Sequence, residues 1–247
     1  MRKLTQLVLL LLSFLLFSCT HNRNDLQKAQ LKGNVKSIAE SYNKDSKDTT
    51  DFKTYYAYNT DGNMVEKKLY NKGILLYNAD FIYNDNGKLV EKNTFASDSL
   101  QDKISYNLDG SGNITGSIDS NFKSHTIVKS TYTYDNQNNL IEADAWNSAD
   151  TQKNPLTFKN GFKYDNKNNV IEEDHFDIKG SLGEKITSTY DDDGNLISIE
   201  IYNPSGNPAT QKLTYKYDFD KTGNWINQQI FNNGSLLRIK KRDIEYY

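Results

Sequence analysis

One motif recurs from residue 31 to the last residue, and it constrains the fold more than any other feature. It reads aromatic-x-aromatic, a polar turn ending in Gly-Asn or Asn-Asn, two apolar residues, then an aromatic about seven residues after that Asn. The clearest copies are YAYNTDGNMVEKKLY (Tyr56 to Tyr70), FIYNDNGKLVEKNTF (Phe81 to Phe95), YTYDNQNNLIEADAW (Tyr132 to Trp146) and FKYDNKNNVIEEDHF (Phe162 to Phe176). STYDDDGNLISIEIY (Ser188 to Tyr202) and YKYDFDKTGNWINQQIF (Tyr215 to Phe231) complete the set. ISYNLDGSGNITGSI, from Ile104, is degenerate, and LKGNVKSIAESY, from Leu31, is a half copy. The turn pairs start at Gly33, Gly62, Gly87, Gly112, Asn138, Asn168, Gly194 and Gly223, in steps of 29, 25, 25, 26, 30, 26 and 29 residues. A near-constant period of this size marks a tandem array.

Each unit reads as a β-hairpin. Tyr, Phe, Ile and Thr fill the flanks and favour strands, while Asn, Asp and Gly fill the turn and tolerate positive φ. Only Gly and Asn occupy the first position of the turn pairs, which implies a fixed left-handed backbone there. Period-2 alternation in LISIEIY places Ile197, Ile199 and Ile201 on one face and Ser198, Glu200 and Tyr202 on the other. A second, looser turn closes each unit, as in YNKG from Tyr70 and FNNG from Phe231. Two strands per unit predict about 14 or more antiparallel strands in a meander. Only 36% of the chain is apolar, but it contains 17 Tyr and 11 Phe, so aromatics must supply much of the buried area. The expected fold is all-β: tandem antiparallel hairpin repeats forming a twisted, curled single-layer sheet or solenoid. The terminal strands would then be edges, and Arg238, Lys240, Lys241 and Arg242 read as the charge of a guarded edge.

The N-terminus differs. Arg2 and Lys3 precede an almost wholly apolar stretch from Leu4 to Phe17. At about 1.5 Å per residue that stretch is too short to span a bilayer comfortably and fits a signal-peptide core. It ends in Leu16-Phe17-Ser18-Cys19, which resembles the lipobox of bacterial lipoproteins. The resemblance implies cleavage after Ser18 and a lipid on Cys19. It divides the chain into a signal peptide (1–18), a lipidated Cys and linker (19–30) and a repeat domain (31–247). It would also account for the single cysteine, since an exported chain rarely keeps one unpaired thiol. Without residues 1–18 the chain has 28 basic and 32 acidic residues, a net charge of −4. Thr20, where some lineages carry an inner-membrane retention Asp, directs the expectation to the cell envelope, lipid-anchored at the outer membrane.

The array itself resembles the YD repeats of the RHS family. The matching pairs are Tyr134-Asp135, Tyr164-Asp165, Tyr190-Asp191 and Tyr217-Asp218, with Tyr58-Asn59, Tyr83-Asn84 and Tyr106-Asn107 as variants. It is closer still to small lipid-anchored YD-repeat-like proteins of Bacteroidetes-type bacteria, which begin near LKGNVKSI and end like IEYY. Large RHS proteins enclose a toxin. This chain has too few repeats for that, and no unrelated domain follows the array.

Little chemistry stands out. The acidic runs Asp191-Asp192-Asp193 and Glu172-Glu173-Asp174, and the pair Asp218 and Asp220, read as turn residues and solvated strand faces; they do not match a Ca²⁺ loop or a glycosidase pair. His21, His125 (in a strand-like SHTIV) and His175 fall at unrelated repeat positions, so no shared metal site and no cofactor are expected. The near-zero net charge gives no electrostatic reason to expect nucleic acid. Strands such as VEKKLY and IEEDHF are too polar for the lipid-facing band of a transmembrane barrel. The reading is a non-enzymatic envelope lipoprotein, a repeat scaffold that binds a protein or cell-wall partner. The alternative is a carbohydrate-binding accessory lipoprotein in which Trp146 and Trp225 stack on sugars.

Overall fold

The computed structural model describes residues 23–43, 51–147, 156–204 and 208–247. The expected signal peptide, the lipidation site Cys19 and His21 lie outside the described residues. A short helix, α1 (Asp25–Lys28), precedes sixteen strands. These are β1 (Val35–Asn43), β2 (Phe52–Tyr58), β3 (Met64–Asn71), β4 (Ile74–Tyr83), β5 (Leu89–Ala96), β6 (Ser99–Leu108), β7 (Ile114–Asn121) and β8 (Thr126–Tyr134), followed by β9 (Leu140–Asn147), β10 (Leu156–Tyr164), β11 (Val170–Phe176), β12 (Leu182–Tyr190), β13 (Leu196–Tyr202), β14 (Gln211–Phe219), β15 (Trp225–Asn232) and β16 (Ser235–Tyr246).

Every strand pairs antiparallel with its neighbours in sequence, and β1 pairs with β16, so the sheet is a closed barrel. This corrects the expected open, curled sheet or solenoid. Ile38 pairs with Ile244 and Glu40 with Arg242, and twist accumulated over sixteen strands lets the two ends meet. No edge remains to be guarded. Arg242 and Lys240 instead point inward to the Glu40 carboxylate, and Arg238 lies over the Tyr42 ring.

The repeat's polar turns gather at one end of the barrel. In seven of them an Asn or Asp (Asn59, Asn84, Asp109, Asp135, Asp165, Asp191, Asp220) accepts the N–H groups two and four residues on at its Oδ1. The residue three on has positive φ, such as Gly62 (78°) and Asn138 (61°). At the opposite end Lys72-Gly73, Ser97-Asp98 and Asn233-Gly234 have positive φ at both central positions, the mark of tight two-residue hairpins, so these turns are tighter than the sequence suggested.

Directly after each polar turn the register slips by one residue. Tyr58 pairs with Met64 but Ala57 with Glu66, so Val65 is a bulge. Val90, Thr115, Ile141, Ile171, Ile197 and Ile226 are the equivalents. The bulge overturns the simple alternation expected for β13. Ile197 is 41% exposed, whereas Ile199, at 1%, and Ile201 face inward with Leu196. A bulge interrupts the ladder and frees a carbonyl. The repeat tyrosine of the next unit satisfies it: Tyr83 donates to Met64 O, Tyr134 to Ile114 O, Tyr164 to Leu140 O and Tyr190 to Val170 O, at 2.7 to 2.9 Å. In the last unit Tyr217 makes the bond to Leu196 O. Phe219 sits directly before the turn residue Asp220 and has no hydroxyl to donate.

The outer wall has three zones. Outward bulge aliphatics ring the polar-turn end. A belt of ion pairs follows: Glu66–Lys68, Glu91–Lys103, Lys159 with Glu142 and Asp144, Glu172 with Lys163 and Lys185, and Glu200–Lys212. Towards the other end, register places one aromatic from each good repeat outward: Tyr70, Phe95, Trp146, Phe176, Tyr202 and Phe231.

Candidate functional site: the plugged barrel interior

The inner wall is identified by what the N-terminal segment touches. Leu26 of α1 is 7% exposed and packs against Val35, Ile38 and Tyr58. The helix is started by Asn24, whose side chain accepts from the Gln27 N–H while Gln27 Oε1 accepts from the Asn24 N–H, a capping box. Asp25 Oδ2 accepts from the Met64 N–H at 2.9 Å and lies 2.6 Å from the Tyr83 hydroxyl, sharing its single proton with Met64 O. The hydroxyl's pKa is driven up by burial first and the Asp25 charge second, so it remains a donor.

The segment crosses the mouth. Asn24 donates to Asp61 O in the β2–β3 turn. Gln30, six residues on, donates to Asn169 Oδ1 in the β10–β11 turn, four turns away around the ring of eight. Lys32 N–H donates to Asn224 Oδ1, and Asn224 Nδ2 donates back to Lys32 O. Six residues reach at most about 20 Å, so this end is narrow and the segment plugs it. A cleft of about 430 Å³ beside the plug is lined by Arg23, Gln30, Lys32, Lys167 and Asp192.

Three of the turn glycines make room for the plug. A Cβ at Gly62 would meet Asn24 Nδ2 at 2.4 Å, one at Gly194 would meet Gln30 at 3.1 Å, and one at Gly223 would meet Lys32 Nζ at 3.0 Å. At two turns the left-handed residue is Asn, and its side chain joins a lateral chain: Asn113 Nδ2 donates to Asn138 Oδ1 and Asn139 Nδ2 to Asn168 Oδ1, each at 3.2 Å.

Further in, the inner wall carries charged side chains. Glu40 bonds Lys240 at 3.2 Å and Arg242 at 3.1 Å. Burial alone would raise the Glu40 pKa, but the two cations overcome it and hold it below the ordinary carboxylate value. Register places Lys67 and Lys92 inward, and burial lowers both of their pKa values. Around the barrel, His175 contacts Glu173 at 2.6 Å through Nε2 and Glu184 at 3.8 Å through Nδ1. Burial lowers the imidazole pKa, and the Glu173 contact outweighs it, so the net shift is upward. Inward Phe158 is 40% exposed, so solvent reaches the interior away from the plug.

The sequence candidates separate. Trp225 faces inward with its ring 3.4 Å from the Arg242 guanidinium and 6.2 Å from Tyr217, so its stacking face is already occupied. Trp146 belongs to the outer aromatic belt, opposite Lys129. His125 lies in the β7–β8 turn with φ 54° and not in a strand. Asp191 accepts from the Asp193 and Asn195 N–H groups, which is turn chemistry. Among the described residues no cluster of His, Cys, Asp and Glu could hold a metal ion. The plug contacts and the inward lysines were missed. A run such as LVEKNTF reads as solvated until the bulge position is known.

No protein-family model matches the chain, and no curated protein resembles it in sequence. Among solved structures, a porin-like protein from Bacteroides uniformis aligns over 87% of this chain and 99% of its own, with a TM-score of 0.60 at 11% identity. A porin-like protein from Bacteroides vulgatus aligns over 86% and 98%, with a TM-score of 0.38 at 11% identity. The Tc holotoxin pore of Photorhabdus luminescens covers 78% of this chain and 12% of that one, with a TM-score of 0.30 at 16% identity. The last two scores are too low to bear on the fold. The first corrects the expected relationship to YD-repeat proteins: the matching fold is a porin-like closed barrel and not a YD-repeat shell.

Proposed function

We propose that this chain is a non-enzymatic cell-envelope lipoprotein: a plugged, non-conducting barrel, tethered at the outer membrane through a lipid on Cys19, whose body binds a partner. The ion-pair belt carries this reading. A lipid-spanning barrel presents an apolar band flanked by aromatic girdles, and here the order is inverted, with charged residues in the middle of the wall and apolar rings near both ends. The likeness to a protein described as porin-like supports an outer-membrane address, while the wall and the plug argue against a pore. Cys19 precedes Asn24 by five residues, a reach of about 17 Å, so a lipid there would hold the plugged end next to the membrane. Metabolic labelling with palmitate should mark the protein and be lost in Cys19→Ala, with release of that variant into the soluble fraction. Purified protein added to a planar bilayer should produce no conductance steps. Steady single-channel openings would refute the proposal.

Trp146 supports glycan binding as a second reading, because it stands in a ring with five other outward aromatics. A glycan array hit lost in Trp146→Ala and kept in Trp225→Phe would establish it.

A further inference from the structure

We propose that the cleft between the plug and the β10–β11 and β12–β13 turns binds a phosphoethanolamine group, a zwitterion carrying a phosphate and a primary ammonium. The cleft measures about 430 Å³, within the roughly 300–1,000 Å³ of small-ligand sites. Its two walls carry opposite charge. The plug wall supplies Arg23 and Lys32, and the turn wall supplies Asp192 and Asp193 with Lys167. Lys167 Nζ donates to Asp192 O at 3.0 Å and lies 3.8 Å from the Asp192 carboxylate, so Asp193 is the uncompensated acid of that wall. The walls are pinned to each other by the Gln30–Asn169 bond at 3.2 Å. Lys32 is held at its backbone by the reciprocal bonds with Asn224, which leaves its ammonium free of that task. Among the described residues no ion pair crosses the cleft: Arg23 and Lys32 reach no carboxylate, and Asp193 reaches no cation.

The charges select the ligand. A simple anion would be drawn to Arg23 and Lys32 but repelled by Asp193, and a simple cation the reverse. A molecule that carries both charges satisfies both walls at once. Phosphate suits a neighbouring Arg and Lys. A primary ammonium has N–H donors for the Asp193 carboxylate, whereas a quaternary ammonium such as choline has none. All of these side chains are exposed, so binding should be modest and sensitive to salt. The choice of a phosphate as the acidic group rests on the reading that a lipid on Cys19 holds the plugged end at a membrane, whose headgroups would face the cleft.

Two arms test the site and the source of the group. In the first, soluble phosphoethanolamine and phosphocholine are titrated into the full Cys19→Ala chain and followed by ligand-observed NMR. Phosphoethanolamine should bind at least about threefold more tightly than phosphocholine, and added NaCl should weaken it. Asp193→Asn should bring the two ligands to equal affinity. Arg23→Gln with Lys32→Gln should weaken both at least about threefold, while the outer-wall Lys163→Gln should change neither. If the double variant loses its β-sheet circular dichroism, Arg23→Gln alone stands in for it and should still weaken both. In the second arm the same Cys19→Ala chain is floated with vesicles of phosphatidylcholine, alone or mixed with phosphatidylethanolamine. Co-flotation with the mixed vesicles only, lost in Asp193→Asn, supports a lipid headgroup as the source. Binding of the soluble group without co-flotation supports the site and overturns the lipid source. Failure of palmitate labelling would refute the tether and leave a cleft that binds phosphoethanolamine standing. Equal wild-type affinity for the two zwitterions, no saturable binding of phosphoethanolamine, or unchanged affinity in the folded cleft variants would overturn the site.

Discussion

The side-chain amide of Asn139 donates to the Oδ1 of Asn168, 3.2 Å away in the next polar turn. Asn139 is almost wholly buried, and Asn168 holds the left-handed position, with φ 62°. The pair shows what asparagine does at this position. Gly62, Gly112, Gly194 and Gly223 stand where the plug or Lys88 presses on the turn, and Asn138 and Asn168 accept from a neighbouring amide, while Gly87 has only the Asn63 amide near it.

Asn168→Ala should therefore destabilise the barrel more than Asn168→Gly. Alanine loses the bond and also pays about 1–2 kcal/mol for the left-handed backbone, whereas glycine loses only the bond, about 1 kcal/mol. Urea denaturation followed by tyrosine fluorescence resolves the difference.

Tyr164→Phe should cost about 1 kcal/mol, because it strands the Leu140 carbonyl freed by the bulge at Ile141. Phe219→Tyr should leave stability unchanged, since Tyr217 already makes the equivalent bond in that unit. Equal effects of the two substitutions in chemical denaturation would contradict this account of the ladder.

Gly62→Ala should loosen the plug, because the new methyl would collide with Asn24 while the backbone is held at φ 78°. Gly73→Ala has a similar φ, 76°, and open space around it, so it supplies the strain without the collision. Limited trypsin digestion should cut at Arg23, Lys28 or Lys32 faster in Gly62→Ala than in Gly73→Ala.

Glu40→Gln should cost about 2–3 kcal/mol by leaving the half-buried Lys240 and Arg242 with a neutral partner. The Glu40 pKa is depressed in the folded protein. Its stabilisation is complete above the ordinary carboxylate value of 4.5 and is lost as pH falls through the lower folded value. Acid melts of wild type and Glu40→Gln should converge as pH drops.

His175 has the opposite sign. Its folded pKa is raised from 6.5, so its contribution is complete below that value and is lost as pH rises through the folded one. Thermal melts should show wild type losing stability relative to His175→Gln as pH rises above 6.5.

The hairpins, their turns and the left-handed positions were legible because turn chemistry is local. Asp135 and Asn138 announce their roles within four residues. Closure was not legible. It depends on β1 meeting β16, and Arg238, Lys240 and Arg242 serve equally as edge guards or as inward partners until Glu40 is placed opposite them. In the outgoing strand only the first position was misread: the extra residue at Ile197 turns that side chain outward, while Ile199 and Ile201 share the inner face and Glu200 and Tyr202 the outer one, as the alternation implied. At the candidate site, Trp225 could not be told from a surface aromatic without Arg242 beside it, and the plug is too short a segment to carry a pattern of its own.

The seam between β1 and β16 joins Glu40 to Lys240 across 200 residues of chain. Synthesis proceeds from the N-terminus, so β1 emerges early and must wait, with one row of its backbone donors unmatched, until the last twelve-residue strand arrives. Nascent or truncated chains that lack the C-terminal strand keep that row open, and it can recruit a strand from another copy. Quality control of this protein is therefore a matter of its final dozen residues: a stop codon that removes β16 should yield open-ended polymers and not a smaller barrel.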